Sequence, residues 1–398
     1  MRVTVVHNHY RSTQPSGENR VVEADMAALR SAGVEVVPYQ VHSDSIERFT
    51  IGQKAALAVR PLYSPADVAA FGALLDECRP DIAHVHNVYP LLSPAVVRAA
   101  ARRGIPVVQT VHNFRHRCVS GIAFRNGSAC SACFQRGLPW PAVVHGCYQG
   151  STVRSIPMAV SVMLHRSTWR LVDRFLVCGA HVADFLRSEG IDASRIEVRP
   201  NTVADPGEPS PLGTGVLFAG RLVEEKGIGV LLDAWGRGGF ASAGHVLRIA
   251  GDGPLRRLVE EASSGDSSIE YLGLLDNVGL DTAYRGCALV VVPSLYPEPD
   301  PIAVVSALAH GRAVVATNMG SITGTVGPRA GWIGAPDARS LADTLSTALS
   351  HEVDLATAGA AARQRYLETR HPRLVRSLVD VYREVLDGRS TGSPPAVS

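Results

Sequence analysis

The sequence predicts an α/β protein built from two doubly wound domains, each a parallel sheet with helices on both faces. Three observations carry that expectation. Short β-branched runs alternate with longer helical patterns from one end of the chain to the other. A length of 398 residues with 46% hydrophobic and 19% charged side chains is enough for more than one well-developed core. The segment Pro200-Asn201-Thr202-Val203-Ala204-Asp205-Pro206-Gly207-Glu208-Pro209-Ser210-Pro211 lacks periodicity and is rich in turn formers, so it divides the runs into two sets.

In the first set, strands are expected near Arg2–Val6, Val34–Tyr39, Asp81–His86, Ile105–Val111, Phe175–Cys178 and Ile196–Arg199. In the second they fall near Val216–Ala219, Val246–Ala250, Ile269–Leu272, Leu289–Val292, Ala313–Ala316 and Gly331–Ile333. The domains are therefore 1–207 and 208–371, with a final helix at 372–386 packing back across the hinge and a frayed tail at 390–398. Ligand sites in such sheets lie beyond the carboxyl ends of the strands, which points to a cleft between the domains.

A formal net charge of +2, without any polybasic run, gives no electrostatic case for nucleic acid. Met1-Arg2 leads directly into a strand, and no apolar run approaches the ~18 residues a membrane span needs, so a cytoplasmic protein is expected.

Gly220-Arg221-Leu222-Val223-Glu224-Glu225-Lys226-Gly227 puts two cations at a strand-to-helix turn, between the strand ending at Ala219 and a helix marked by Ile228, Leu231, Leu232 and Trp235. The start of a helix offers unpaired N–H groups and the positive end of a dipole, so a diphosphate placed there meets the amides, Arg221 and Lys226 together. The chain has only two lysines, Lys54 and Lys226, which marks this position further. Glu298 follows the strand ending at Val292, inside Tyr296-Pro297-Glu298-Pro299-Asp300-Pro301. The prolines stiffen a carboxylate suited to receive a sugar hydroxyl. The plainer alternative is a Pro-rich turn with a solvated glutamate.

These two segments, with Ala307-x-Ala309-x-Gly311-x-x-Val314-Val315-Ala316-Thr317, resemble the donor half of the retaining glycosyltransferase family 4, of GT-B fold. The likeness extends over nearly the whole chain, through 5–22, 82–94, 107–115, 199–207 and 247–254, and is closest to bacterial members with a four-cysteine loop in the N-terminal domain. It implies two Rossmann-like domains facing a cleft, a nucleoside-diphosphate sugar bound in the second and a glycan, lipid-linked or small-molecule acceptor in the first, with no catalytic metal. It further implies that Gly220, Arg221 and Lys226 bind the diphosphate, that Glu298 contacts the donor sugar, and that retention proceeds by front-face attack without a protein base. His112 matches the family histidine beside that sugar, its alternative being a hydrogen-bonded structural histidine.

Three departures stand out. Ser306 occupies the position of the glutamate that binds the ribose in the family, Gly324 replaces another acid, and Asp300 replaces an apolar or aromatic neighbour of Glu298. They leave open that the donor is unusual, that Asp300 compensates, or that the protein is a pseudoenzyme that binds a nucleotide or a partner; a sugar nucleotide 2-epimerase, which shares the architecture, is a further competing reading.

In the first domain, Gly17 of Ser16-Gly17-Glu18 lies between the first strand and a helix beginning near Asn19, where a glycine lets a phosphate approach the backbone. A tight turn without ligand is the alternative. His86 and Asn87 end a strand and are acceptor-side candidates, with turn stabilisation equally open; His7, Asn8 and His9 share that ambiguity. Cys118, Cys130, Cys133 and Cys147, four of the seven cysteines, have spacings that suit a structural zinc, with unligated thiols as the alternative. The stretch 156–176 combines Met158, Val162, Met163 and Leu164 with several arginines. It reads first as a core helix with snorkelling arginines and second as a peripheral contact with the inner face of a membrane.

Overall fold

A computed structural model describes residues 1–12, 16–57, 59–135, 137–371 and 376–391 of the chain. It divides into two compact units, the first built from 1–123, 130–199 and 376–391 and the second from 124–129 and 200–371.

The first unit is a six-stranded sheet of β1 (Arg2–His9), β2 (Glu35–His42), β3 (Ile82–Val85), β4 (Val107–Val111), β7 (Arg174–Val177) and β8 (Ile196–Val198), in the order β2-β1-β3-β4-β7-β8. Every pairing is parallel. A parallel sheet covered on both faces is buried on both, and β3 and β4 are buried at every position. The order reverses between β1 and β3, and that is where a doubly wound sheet opens a crevice at its carboxyl edge.

The second unit contains β9 (Val216–Ala219), β10 (Leu247–Ala250), β11 (Ile269–Gly273), β12 (Leu289–Val292), β13 (Ala313–Thr317) and β14 (Gly331–Gly334), in the order β11-β10-β9-β12-β13-β14. All are again parallel, and the order reverses between β9 and β12. All twelve strands expected from the apolar runs are present, with ends shifted by up to three residues. The sequence reading missed the short antiparallel hairpin β5 (Phe124–Arg125) and β6 (Ser128–Ala129), because two-residue strands carry no periodicity.

The helix Leu378–Thr391 belongs to the first unit. Its Leu378, Val381, Tyr382 and Val385 pack with Val3, Val5, Val22 and Leu29, and the Tyr382 hydroxyl lies 2.6 Å from His84 Nδ1. The helix begins later than the sequence suggested, Ser390 and Thr391 are helical, and the remainder of the expected tail, 392–398, lies outside the described residues, as does 372–375. The chain leaves the first unit after Arg199, earlier than the expected boundary at 207, and Asn201 is bonded inside the second, with its N–H 2.8 Å from Asp300 Oδ2.

The second unit buries a guanidinium without an acidic partner. Arg312, 1% exposed, donates to the carbonyls of Tyr284 at 2.9 Å and Arg285 at 2.7 Å, and to the Ser210 hydroxyl at 2.5 Å. It ties the 210–211 segment to the end of the helix Asn277–Gly286. Replacing it strands several buried acceptors at once, each costing about 1–3 kcal/mol. Arg312→Met is expected to lower stability by at least ~3 kcal/mol in urea unfolding, with Arg221, Lys226 and Glu298 untouched.

Candidate functional site

The loop after β9 and the loop after β12 meet at the switch point of the second sheet, and the cation of one is bonded to the carboxylate of the other. Lys226 closes a 3-10 turn, Glu224–Lys226, immediately before the helix Ile228–Gly238. Gly227 stands between them with φ of 73°, and a Cβ there would fall 1.9 Å from the carbonyl oxygen of Pro293. Only glycine allows that left-handed turn against the neighbouring loop. A backbone bond from Leu295 N–H to Glu225 O, 2.9 Å, completes the stitching.

Glu298 is 3% exposed and receives three donors. Lys226 Nζ and the Ser294 hydroxyl, the latter at 2.6 Å, share Oε1, and the Tyr296 hydroxyl donates to Oε2 at 2.7 Å. Lys226 Nζ also lies 5.1 Å from the Tyr296 ring centre. Burial would push the Glu298 carboxyl up, but the Lys226 ammonium and the hydroxyl donors hold it below its ordinary range. Burial and the adjacent carboxylate push the Tyr296 phenol well above its usual value, so it stays a donor. Behind Glu298, Ser321 N–H bonds its carbonyl at 2.9 Å, and a Cβ on Gly320, whose φ is 60°, would come within 2.5 Å of its backbone. The carboxylate is thus fixed from the front by side chains and from the back by main chain.

Arg221 is partly exposed beside this pair, with Nη2 3.3 Å from Glu225 Oε1, and Gly220 bonds back to Ala250 O at 3.0 Å. Ser306 lies on the helix Ile302–Ala309, where its carbonyl accepts from His310 Nδ1 at 2.7 Å. At Gly324 an added Cβ would meet nothing within 4 Å. Asp300 does not stand in for these missing acids. Its carboxylate accepts from Arg370 Nη1 at 2.7 Å, Asn201 N–H at 2.8 Å and Thr325 Oγ1 at 3.1 Å, all inside the second unit. The sequence reading left open that Asp300 compensates for Ser306; the carboxylate is spent on a structural network instead.

In the first unit the carboxyl ends of β1, β2, β3 and β4 bring imidazoles together. His86 Nδ1 lies 3.1 Å from His112 Nε2, and the His84 and His86 ring centres are 4.2 Å apart. His7 bonds Asn19 at 3.0 Å, and His9 stacks on His42 at 4.3 Å. His86, His112, Glu18 and Arg115 line a shared concavity. Within it, His86 Nε2, Glu18 Oε2 and Arg115 Nε are buried without a partner among the described residues, while Asn113 Nδ2 donates to Glu18 Oε1 at 3.0 Å. Unpaired donors and acceptors of this kind suit a hydroxyl-rich ligand.

Asn87 also borders this concavity, but its side chain is committed to the backbone. Its amide donates to the carbonyls of Asn8 and Tyr89, each at 2.9 Å, and accepts from Tyr89 N–H at 3.1 Å, which is the turn-stabilising alternative. The helix Gly17–Ser31, capped by Ser16, begins two residues earlier than expected, so Gly17 is its first residue and not part of the preceding loop. The segment 13–15 just before it lies outside the described residues.

Three of the four cysteines of the expected zinc site, Cys118, Cys133 and Cys147, lie in or against the first unit's core. Cys133 is buried in the apolar core, while Cys118, Cys130 and Cys147 are half-buried, and all four are thiols. Burial, with the other three sulfurs nearby, pushes the Cys133 thiol up to about 11. Among the described residues no group of three or more His, Cys, Asp or Glu side chains is placed to hold a metal. Apolar packing that includes Phe114 and Phe134, with backbone bonds such as Cys130 N–H to Ala123 O at 2.7 Å, also holds the loop.

Sequence reasoning missed Tyr296, Ser294, Glu18 and Arg115. The first two lie within four residues of Glu298 and the last within the 107–115 motif, but only the fold turns them toward the site.

Sheets with this crevice, carrying a cation and a carboxylate at the switch point, define a class of doubly wound ligand-binding proteins. Two family descriptions narrow the class: "Glycosyl transferase 4-like domain" matches residues 16–202 and "Glycosyl transferases group 1" matches 213–351. The chain belongs to this glycosyltransferase family, of GT-B fold. The phosphatidyl-myo-inositol mannosyltransferase of Mycobacterium leprae is 29% identical over 236 residues, which is 55% of this chain and 62% of that protein. The protein of the same name from Mycobacterium tuberculosis H37Rv is 33% identical over 166 residues, 39% of this chain and 43% of that protein. The matches thus span less than two thirds of these relatives' length. In fold, the chain is similar to sucrose-phosphate synthase from Thermosynechococcus elongatus, with a TM-score of 0.71 at 18% identity over 97% of this chain and 99% of that one. It is also similar to Anabaena HepE solved with UDP-glucose, with a TM-score of 0.64 at 15% identity over 98% and 100%.

The buried imidazoles make stability depend on pH. Burial lowers His7 to about 4 and His84 and His116 each to about 3. The unfolded chain takes up these protons near ~6.5 while the folded chain refuses them until pH ~3–4. Their contribution to stability is therefore complete above pH ~6.5 and is lost as pH falls through that window. By pH ~5 the three together are expected to cost roughly 6 kcal/mol, read as a falling urea midpoint between about pH 7.5 and about pH 5.

Proposed function

We propose that the protein transfers a sugar from a nucleoside-diphosphate donor to an acceptor hydroxyl, with retention of anomeric configuration. The observation that carries this is the Lys226–Glu298 pair at the switch point of the second sheet. An ammonium has three protons, so Lys226 can keep its bond to Glu298 while meeting a diphosphate oxygen. The pair would then bridge the two sides of the scissile bond, with phosphate on the lysine side and sugar hydroxyls on the glutamate side. As the bond breaks, negative charge grows on the leaving diphosphate, where Lys226, Arg221 and the start of the helix Ile228–Gly238 stabilise it. Preorganisation is the main contribution, because Ser294, Tyr296 and the 320–321 turn hold Glu298 before any donor arrives.

The acceptor belongs to the first unit, at the concavity of His86, His112, Glu18 and Arg115, whose unpaired atoms suit hydroxyls. No protein base is assigned, and the departing phosphate takes the acceptor's proton. Structures of the similar Anabaena HepE with UDP and with UDP-glucose support a nucleotide sugar as the donor class.

A screen of uridine, guanosine, thymidine and adenosine diphosphate sugars, read by thermal shift and then by donor turnover, identifies the base and tests activity. Donor turnover supports transfer, whereas binding without turnover, or isomerisation of the donor, rejects it. Lys226→Ala and Arg221→Ala are each expected to lower turnover about 100-fold or more, and near-normal rates in either remove the assignment.

Ser306→Glu is expected to tighten a ribonucleoside diphosphate about tenfold, since a carboxylate accepting a ribose hydroxyl is worth about 1.5–3 kcal/mol. Unchanged or weaker binding by calorimetry would place Ser306 away from the ribose.

A further inference from the structure

The helix Thr152–Leu164 has two apolar faces, and only one is used by the core. Met158, Ala159 and Val162 are buried in the first unit. On the other side Val153 is 75% exposed, Ile156 47%, Val160 38%, Met163 45% and Leu164 58%. Their steps of three, four, three and one residues keep them on one side of the helix. The helix Trp140–Val144 packs beside it and adds Trp140 at 63% and Val144 at 58%, preceded by Leu138 at 52%. Eight of the eighteen large apolar side chains most exposed among the described residues thus fall within 138–164. Scattered exposed hydrophobics need no explanation, but a continuous patch marks a binding surface.

The charge around the patch is one-sided. Between Asp81 and Asp173 the sequence has no acidic residue and ten arginines. Three of these, Arg154, Arg166 and Arg170, are exposed on or just beyond the helix. Arg154 donates to the Gln149 side-chain oxygen at 3.1 Å, and Arg166 points to the Gly137 carbonyl at 3.5 Å. Neither is neutralised by a carboxylate there. The nearby acid that the contacts show, Glu189, is paired with Arg117 at 3.0 Å, so an apolar strip containing a tryptophan, bordered by guanidinium groups without a carboxylate partner among the described residues, matches the boundary of a bilayer with anionic headgroups. At thirteen residues the helix is too short to span, so it would lie in the plane of the interface.

We propose that the face formed by 138–144 and 152–164 docks the protein on the surface of a bilayer containing anionic lipid. The apolar side chains enter the acyl boundary and Arg154, Arg166 and Arg170 meet the headgroups. The sequence reading of this helix as core with snorkelling arginines holds for Met158 and Val162, but not for Met163 and Leu164. Docking does not depend on sugar transfer, since none of these residues belongs to the donor or acceptor sites.

The full chain is tested by co-sedimentation with phosphatidylcholine vesicles and with vesicles containing about 30% phosphatidylglycerol. It is expected to sediment with the anionic vesicles, less so at high salt, and to remain largely in solution with phosphatidylcholine alone. Ile156→Glu with Met163→Glu alters only exposed positions, so fold and donor-induced thermal shift should be kept while vesicle binding falls at least tenfold. Arg154→Gln with Arg166→Gln should weaken binding to anionic vesicles by roughly tenfold or more. Wild-type protein that stays in the supernatant, or variants that bind as wild type does, overturn the proposal. So does a wild-type dimer in light scattering that Ile156→Glu with Met163→Glu converts to monomer, which would assign the face to a second copy.

Discussion

The bond between Lys226 and Glu298 is the interaction around which the second unit is arranged. An isolated charge buried among strand ends would be costly, and each of these groups makes the other tolerable. The geometry that joins them is strict. Gly227 must turn left-handed against Pro293, Leu295 must bond Glu225, and the 320–321 turn must press on the Glu298 backbone. Each contact joins loops that follow different strands, so the pair exists only because β9 and β12 are neighbours at the reversal of strand order. A ligand arriving there meets charges already in place and need not organise them.

The first unit follows the same plan with different chemistry. Its reversal lies between β1 and β3, and their ends carry neutral imidazoles rather than an ion pair. Desolvation keeps those rings uncharged, which leaves them able to donate or accept according to tautomer. That property suits hydroxyl recognition better than anion binding. The concavity of His86, His112, Glu18 and Arg115 therefore complements the cationic corner of the second unit in chemistry.

Much of this was legible along the chain. Apolar runs located all twelve sheet strands, most plainly central ones such as β4, β12 and β13, which are buried at every position and therefore largely apolar. Arg221, Lys226 and Glu298 were legible because each lies a few residues past such a run, where a doubly wound sheet places ligands. The cysteines show the limit of such reading, because spacing shows that four thiols could approach one another but says nothing about which way each side chain turns. Cys133 turned into the core. Asp300 shows the same limit: its distance in sequence from Arg370 hides the 2.7 Å contact that occupies it.

By itself, then, the sequence determined the two-unit α/β architecture, the family and the placement of Arg221, Lys226 and Glu298 just past strand ends, since these rest on local periodicity and on short motifs at strand ends. The tertiary structure decided everything that rests on which way a side chain points. It gave Glu298 its three donors, and it gathered the imidazoles from four strands. It spent Asp300 and Asn87 on the scaffold and left one face of the helix Thr152–Leu164 uncovered. The physical reason is the same in each case. Periodicity fixes which residues are apolar and how they are spaced, but partners distant in sequence determine which polar atoms are satisfied and which apolar faces are covered.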